Sequence, residues 1–112
     1  MRKLTISALI AAVALTALPL LGGTASAATV RLGDNFFAPS SKTVRSGAKV
    51  RFKWAGNRRH NVTKGRGPGG FFASTTTNRD GVRFAKRFRK RGVYRLYCTL
   101  HPTEMRMKLT VR

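Results

Sequence analysis

The chain has one cysteine, two histidines and three methionines, and four of these residues are spaced as a metal would need them. Cys98, His101 and Met105 form a Cys-x2-His-x3-Met cluster, and His60 stands 38 residues before Cys98. Two imidazoles and a thiolate, with a weak distant thioether, suit one copper ion in both of its oxidation states. Neither state is held in its preferred geometry, so little has to move when one electron arrives or leaves. Coordination would deprotonate Cys98 outright. The chemistry expected is one-electron transfer at a single copper ion. Copper storage, resistance or delivery through the same ligands is the alternative. Four protein donors leave no open position on the metal, which argues against an enzyme.

Other uses of these residues explain less. A single exported cysteine can pair with another molecule, but that leaves the histidine three residues later and the Pro-x-x-Met that follows unexplained. Structural zinc wants cysteine and histidine in all four places, and here a thioether would have to serve. A Cys–His hydrolase needs an orienting group and an oxyanion hole, and the sequence offers neither.

The elements that must position these residues read as β-strands. Val30 and Leu32 alternate with polar neighbours, as do Val50, Phe52 and Trp54 with Lys49, Arg51 and Lys53. Such alternation puts an apolar face and a cationic face on one strand. Phe84 opens a further run; Tyr94, Leu96 and Cys98 continue the pattern, as do Met105, Met107, Leu109 and Val111. Turn signals at Ala38-Pro39-Ser40, Ser46-Gly47, Ala55-Gly56-Asn57, Asn78–Gly81 and Arg91-Gly92 separate the runs. The expectation is an all-β sandwich. Gly65–Gly70 is expected to be a flexible loop; it lacks the Lys-Ser/Thr of a phosphate-binding loop. Asn61-Val62-Thr63 matches a glycosylation sequon, but a glycan there would obstruct His60.

The first 27 residues are expected to be a signal peptide. Arg2 and Lys3 precede an apolar stretch from Leu4 to Leu21, and Ala25-Ser26-Ala27 forms a small-residue cleavage site. Residues 28–112 would then be one small domain, exported to the periplasm, the cell surface or the medium. No second hydrophobic stretch follows that would hold it in a bilayer. A chain of this size buries only roughly 60% of its unfolded surface. One cysteine permits no internal disulfide, so a bound metal is the staple that remains.

The balance of charge is extreme. The chain has 23 Lys plus Arg against three acids, a formal net charge of +20, which falls to +18 once Arg2 and Lys3 leave with the leader. That excess bears on partners and association rates and says nothing of the fold. It favours an acidic redox protein, or the anionic polymers and lipid headgroups of a cell envelope; export argues against nucleic acid. Arg83, Lys86, Arg87, Arg89, Lys90 and Arg91 concentrate the charge in one run. Such a run suits electrostatic docking, or simply a solvated hairpin face. A third reading is a cationic surface-binding protein in which any metal is incidental.

Several segments resemble the cupredoxins, the blue-copper family of plastocyanin, amicyanin and pseudoazurin. They are Phe36-Phe37-Ala38-Pro39-Ser40, Thr43–Phe52, His60-Asn61-Val62, Gly92–Pro102 and Met105–Val111. The resemblance implies a Greek-key β-sandwich carrying one type-1 copper near one end. It implies in-plane ligation by His60, Cys98 and His101 and axial ligation by Met105. It also implies that the His101 edge passes the electron through an apolar patch that includes Leu100 and Pro102. The protein is expected to be a monomer. Asn61 would brace the ligand loop by hydrogen bonds. The three residues between His101 and Met105 differ from the two of amicyanin-like loops and the four of plastocyanin-like loops. They add Thr103 and Glu104 to the loop and make Met107 a rival axial ligand. Met105 is preferred because Met105-Arg106-Met107-Lys108 matches the Met-Arg-Gly-Lys opening of the family's last strand.

Overall fold

The structure, a computed structural model, describes residues 27–112. The signal peptide expected over Met1–Ala27 therefore lies, but for its last residue, outside the described residues. Eight strands follow: β1 Ala28–Gly33, β2 Phe36–Ala38, β3 Ser41–Val44, β4 Ala48–Trp54, β5 Thr63–Arg66, β6 Gly81–Phe88, β7 Gly92–Tyr97 and β8 Arg106–Val111. They form two four-stranded sheets, ordered β2-β1-β4-β6 and β3-β8-β7-β5. Among the described residues no helix is long and apolar enough to cross a membrane.

Period-two alternation places the core between the sheets. On β4, Ala48, Val50, Phe52 and Trp54 are buried, and Arg51 and Lys53 are exposed on the other face. Val30 and Leu32 join them from β1, and Tyr94, Leu96, Met107, Leu109 and Val111 face them from β7 and β8. Each large side chain taken fully out of water contributes about 1.5–3 kcal/mol. The phenylalanines of the basic run serve this core: Phe88 is buried edge-on to Tyr94 at 5.1 Å, and Phe84 lies tilted against Phe52 at 5.6 Å.

The register brings four chain segments to one end. β1 runs parallel to β4 with Leu32 opposite Trp54, and the Ala55 N–H donates to the Leu32 carbonyl at 2.8 Å. The Asp34-Asn35 turn therefore lies beside the chain leaving β4. Asn35 makes this turn with φ of 68°, a left-handed conformation that asparagine tolerates. β7 and β8 are antiparallel and open onto each other at the same end, with Tyr97 opposite Arg106. The Arg89–Arg91 turn joins β6 to β7 at the far end, because β7 starts at Gly92 and only its last residue approaches Cys98.

The Gly65–Gly70 stretch is more ordered than its composition predicts. Gly65 and Arg66 belong to β5, and the rest of the stretch folds over Lys64. The buried Lys64 ammonium donates to the carbonyls of Pro68, Gly69 and Gly70 at 2.8, 2.6 and 3.1 Å. Three donors on one ammonium match three carbonyls on one turn. We expect Lys64→Met to cost about 2 kcal/mol by orphaning these carbonyls. Hydrogen exchange should quicken in residues 67–72 and stay unchanged in β8.

Candidate metal centre

His60 sits between β4 and β5, where the chain makes a two-way bridge to Thr77. Its N–H donates to the Thr77 carbonyl at 3.0 Å, and the Thr77 N–H returns to the His60 carbonyl at 3.1 Å. The buried Trp54 indole donates to that same carbonyl at 3.1 Å. The His60 side chain is wholly buried. Its Nδ1 lies 4.0 Å from the Cys98 sulfur, and its Nε2 lies 3.3 Å from Asp34 Oδ1.

Cys98, His101 and Met105 occupy the loop between β7 and β8. Backbone bonds close that loop on itself: Met105 N–H to the His101 carbonyl at 2.9 Å, His101 N–H to the Cys98 carbonyl at 3.1 Å, and Cys98 N–H to the Met105 carbonyl at 3.0 Å. The three-residue spacing thus closes one hydrogen-bonded turn between His101 and Met105. It leaves Met105 directly across the ladder from Cys98, and Met107 one full repeat farther on, opposite Leu96. Cys98 and Met105 are both fully buried. His101 is half-buried, with its ring 5.3 Å from the His60 ring, while Leu100 is half-exposed and Pro102 exposed beside it.

Asn61 makes the brace expected of it, with every polar group of its side chain used. Its amide donates to Thr76 Oγ1 at 2.9 Å and to Thr99 Oγ1 at 2.8 Å. Its carbonyl oxygen accepts from Thr63 Oγ1 at 2.8 Å and from the Thr99 N–H at 3.1 Å. The Asn61 backbone N–H points at the Cys98 sulfur at 3.5 Å. The buried Cys98 sulfur thus has an amide N–H and an imidazole nitrogen as its polar neighbours.

His60 is the hinge of the donor set, paired on one side with Cys98 and on the other with His101. Among the described residues, no three His, Cys, Asp or Glu side chains close into a cage of their own. The chemistry of the set, two imidazoles, one buried thiol and a buried thioether, fits copper.

Sequence reasoning missed Asp34. Its carboxylate accepts from the Asn57 and Arg58 N–H groups, each at 2.9 Å, and contacts His60. The Arg58 N–H, more than any other group, holds this carboxyl below the usual carboxylate range. The signal was in the composition, since Asp34 is one of three acids among 23 cations.

The basic run is partly spent within the molecule. Arg83 donates to the Asp80 carbonyl at 2.7 and 3.0 Å, Arg87 donates to the Gly47 carbonyl at 3.0 Å, and Lys86 lies 4.9 Å from the centre of the Phe72 ring. A second cationic surface lies nearer the candidate site. It is an open groove of about 820 Å³ on the sheet of β8, lined by Arg66, Arg95, Arg106 and Lys108 and reaching Pro102.

Comparison with known proteins identifies the family. The family model of copper-binding proteins, plastocyanin/azurin family, matches residues 25–112. The chain belongs to that family. It is a cupredoxin, and the cofactor of cupredoxins is one type-1 copper ion. No curated protein matches the sequence. Among solved structures, a purple cupredoxin from Nitrosopumilus maritimus is similar at 25% identity and a TM-score of 0.66, over 76% of this chain and 99% of that one. A copper-containing nitrite reductase from Thermus scotoductus is similar at 25% identity and a TM-score of 0.66, over 76% of this chain but 22% of that one. An amicyanin variant in its reduced Cu(I) form shares the fold at 23% identity and a TM-score of 0.68, over 77% of this chain and 82% of that one. The cupredoxin fold thus stands alone in some of these proteins and forms a small part of an enzyme in another.

Proposed function

We propose that this cupredoxin is an exported one-electron carrier in which His60, Cys98, His101 and Met105 would hold the copper that supplies the one-electron redox chemistry. The observation that carries the reading is the setting of Cys98. Its sulfur is buried, faces His60 Nδ1 at 4.0 Å and accepts the Asn61 N–H at 3.5 Å. Met105 is favoured over Met107 because the ladder sets it level with Cys98. A buried, hydrogen-bonded site keeps its geometry through both redox states, which suits electron transfer better than metal release. Four protein donors also leave no position at which a substrate would bind, so the protein is not an enzyme in this reading.

The electron leaves through the half-buried His101 ring, with Leu100 and Pro102 as the contact surface. The partner is an acidic redox protein, guided by the groove of Arg66, Arg95, Arg106 and Lys108 that ends at Pro102. The Arg89–Arg91 turn is at the far end of β7 and is poorly placed for this exchange; it suits contact with an anionic envelope. The leader expected over Met1–Ala27 and a single cysteine, which permits no internal disulfide, fit a small monomer exported and stapled by its metal.

Voltammetry of the copper-loaded protein tests the carrier role. Fast, reversible cycling with copper retained against a competing chelator is expected. Slow cycling, with metal passing readily to the chelator, would overturn the carrier reading in favour of delivery.

A further inference from the structure

The sandwich brings a carboxylate to the buried ring of His60 by a route that the motif does not encode. Asp34 belongs to the β1–β2 turn, 26 residues before His60. The parallel pairing of β1 with β4 sets it beside the segment Ala55–Arg58. That segment is shaped around the carboxylate. Asn57 and Arg58 each donate a backbone N–H to Oδ1 at 2.9 Å, and His60 Nε2 approaches the same oxygen at 3.3 Å. Gly56 closes the cradle, because a Cβ there would overlap the Asp34 carboxylate.

We propose that Asp34 is a positioning residue of the copper centre, fixing the tautomer and orientation of His60 and biasing the bound metal toward Cu(II). The inference rests on the copper reading for its second half and on geometry alone for its first. A carboxylate is acceptor-only, so the ring nitrogen facing it must carry the proton. Nε2–H therefore donates to Asp34, and the Nδ1 lone pair is left facing the Cys98 sulfur, on the side where the metal would bind. A carboxylate hydrogen-bonded to a ligating imidazole also makes the ring a stronger donor. Negative charge placed there stabilises the more positive oxidation state.

Three variants separate positioning from simple structure. Asp34→Asn keeps an oxygen of the same shape and removes the charge. It should shift the Cu(II)/Cu(I) equilibrium toward Cu(I) about tenfold, which is about 59 mV for a one-electron couple. Asp34→Ala should do at least as much and should weaken copper binding by about 10–100-fold. Gly56→Ala leaves both partners chemically intact but displaces the carboxylate, and it should shift the equilibrium in the same direction. A purely structural Asp34 would lower the melting temperature in all three variants and leave the potential where it was, which would overturn the proposal. The first half is read in the metal-free protein by nitrogen NMR of the His60 ring. A protonated Nε2 in the wild type, with its proton exchanging faster in Asp34→Ala, is expected; a protonated Nδ1 would overturn it. Failure of the wild type to give a type-1 copper spectrum would defeat the proposed function instead, and the ring measurement would still decide the contact.

Discussion

Cys98→Ser is expected to abolish the visible thiolate-to-copper absorption and to weaken copper binding by far more than the ~100-fold lost with an outer hydrogen-bond partner. The chain has one cysteine, so no other thiolate can supply the band. Serine is nearly isosteric, but its hydroxyl stays protonated and is a hard donor, poorly matched to Cu(I). The surroundings of Cys98 sharpen the expectation. Its sulfur is wholly buried, and its polar neighbours are the Asn61 N–H at 3.5 Å and His60 Nδ1 at 4.0 Å. A cysteine that merely filled space would tolerate serine at the cost of one buried hydroxyl, with copper affinity unchanged. Competition titration with a chelator of known affinity distinguishes these outcomes. Unchanged copper retention in Cys98→Ser would refute the ligand assignment.

Asn61→Ala should be the most damaging substitution beside the ligands, costing about 3 kcal/mol as buried groups lose their partners. In a domain of this size each kcal/mol shifts the melting temperature by roughly 4–8 °C, so a fall of more than ~10 °C is expected. Asn61 links three segments by its side chain: its own strand approach, the Thr76 segment and the Cys98-Thr99 loop. The Thr99 N–H and the Thr63 hydroxyl lose their acceptor, and the Thr76 and Thr99 hydroxyls lose a donor. The loss should be greater in the metal-free protein than in the copper-loaded one, because copper would join His60 to Cys98 across the same gap. Interactions that span one gap are not additive. Equal losses with and without copper would mean that the metal does not bridge these two segments.

Much of the fold could be read from alternation, and the parts that could not have identifiable causes. β1, β4, β7 and β8 each show apolar residues at every second position, since one face meets the core. β2 and β5 are too short to show a period, and β3 exposes its first three residues and buries only Val44. The opening of β6 was hidden by an irregular register between Phe52 and Lys53, which sets Phe84 opposite Phe52 but Val82 opposite Lys53. Alternation broken in this way reads as a turn, and so the strand starts at Gly81 rather than Phe84.

The site divides along the same line. Cys98, His101 and Met105 share one short loop, so their spacing carried the information. His60 stood out because the chain has only one other histidine. The preference for Met105 over Met107 came from the resemblance to the family's last strand, and the ladder adds that Met107 faces Leu96. Asp34 depends on a parallel pairing between strands that a hairpin and a crossover separate in sequence, and no local pattern announces such a pairing. Even so, an acid kept in so cationic a chain, directly after a strand, was a residue that needed a reason.

The measurement that tests the central claim most directly is the visible absorption and electron paramagnetic resonance of the purified protein after addition of one equivalent of Cu(II). A single site built from His60, Cys98, His101 and Met105 predicts a strong visible band that saturates at one copper, with narrow copper hyperfine splitting. Colourless protein, or the broad splitting of copper bound by nitrogen and oxygen alone, would contradict it.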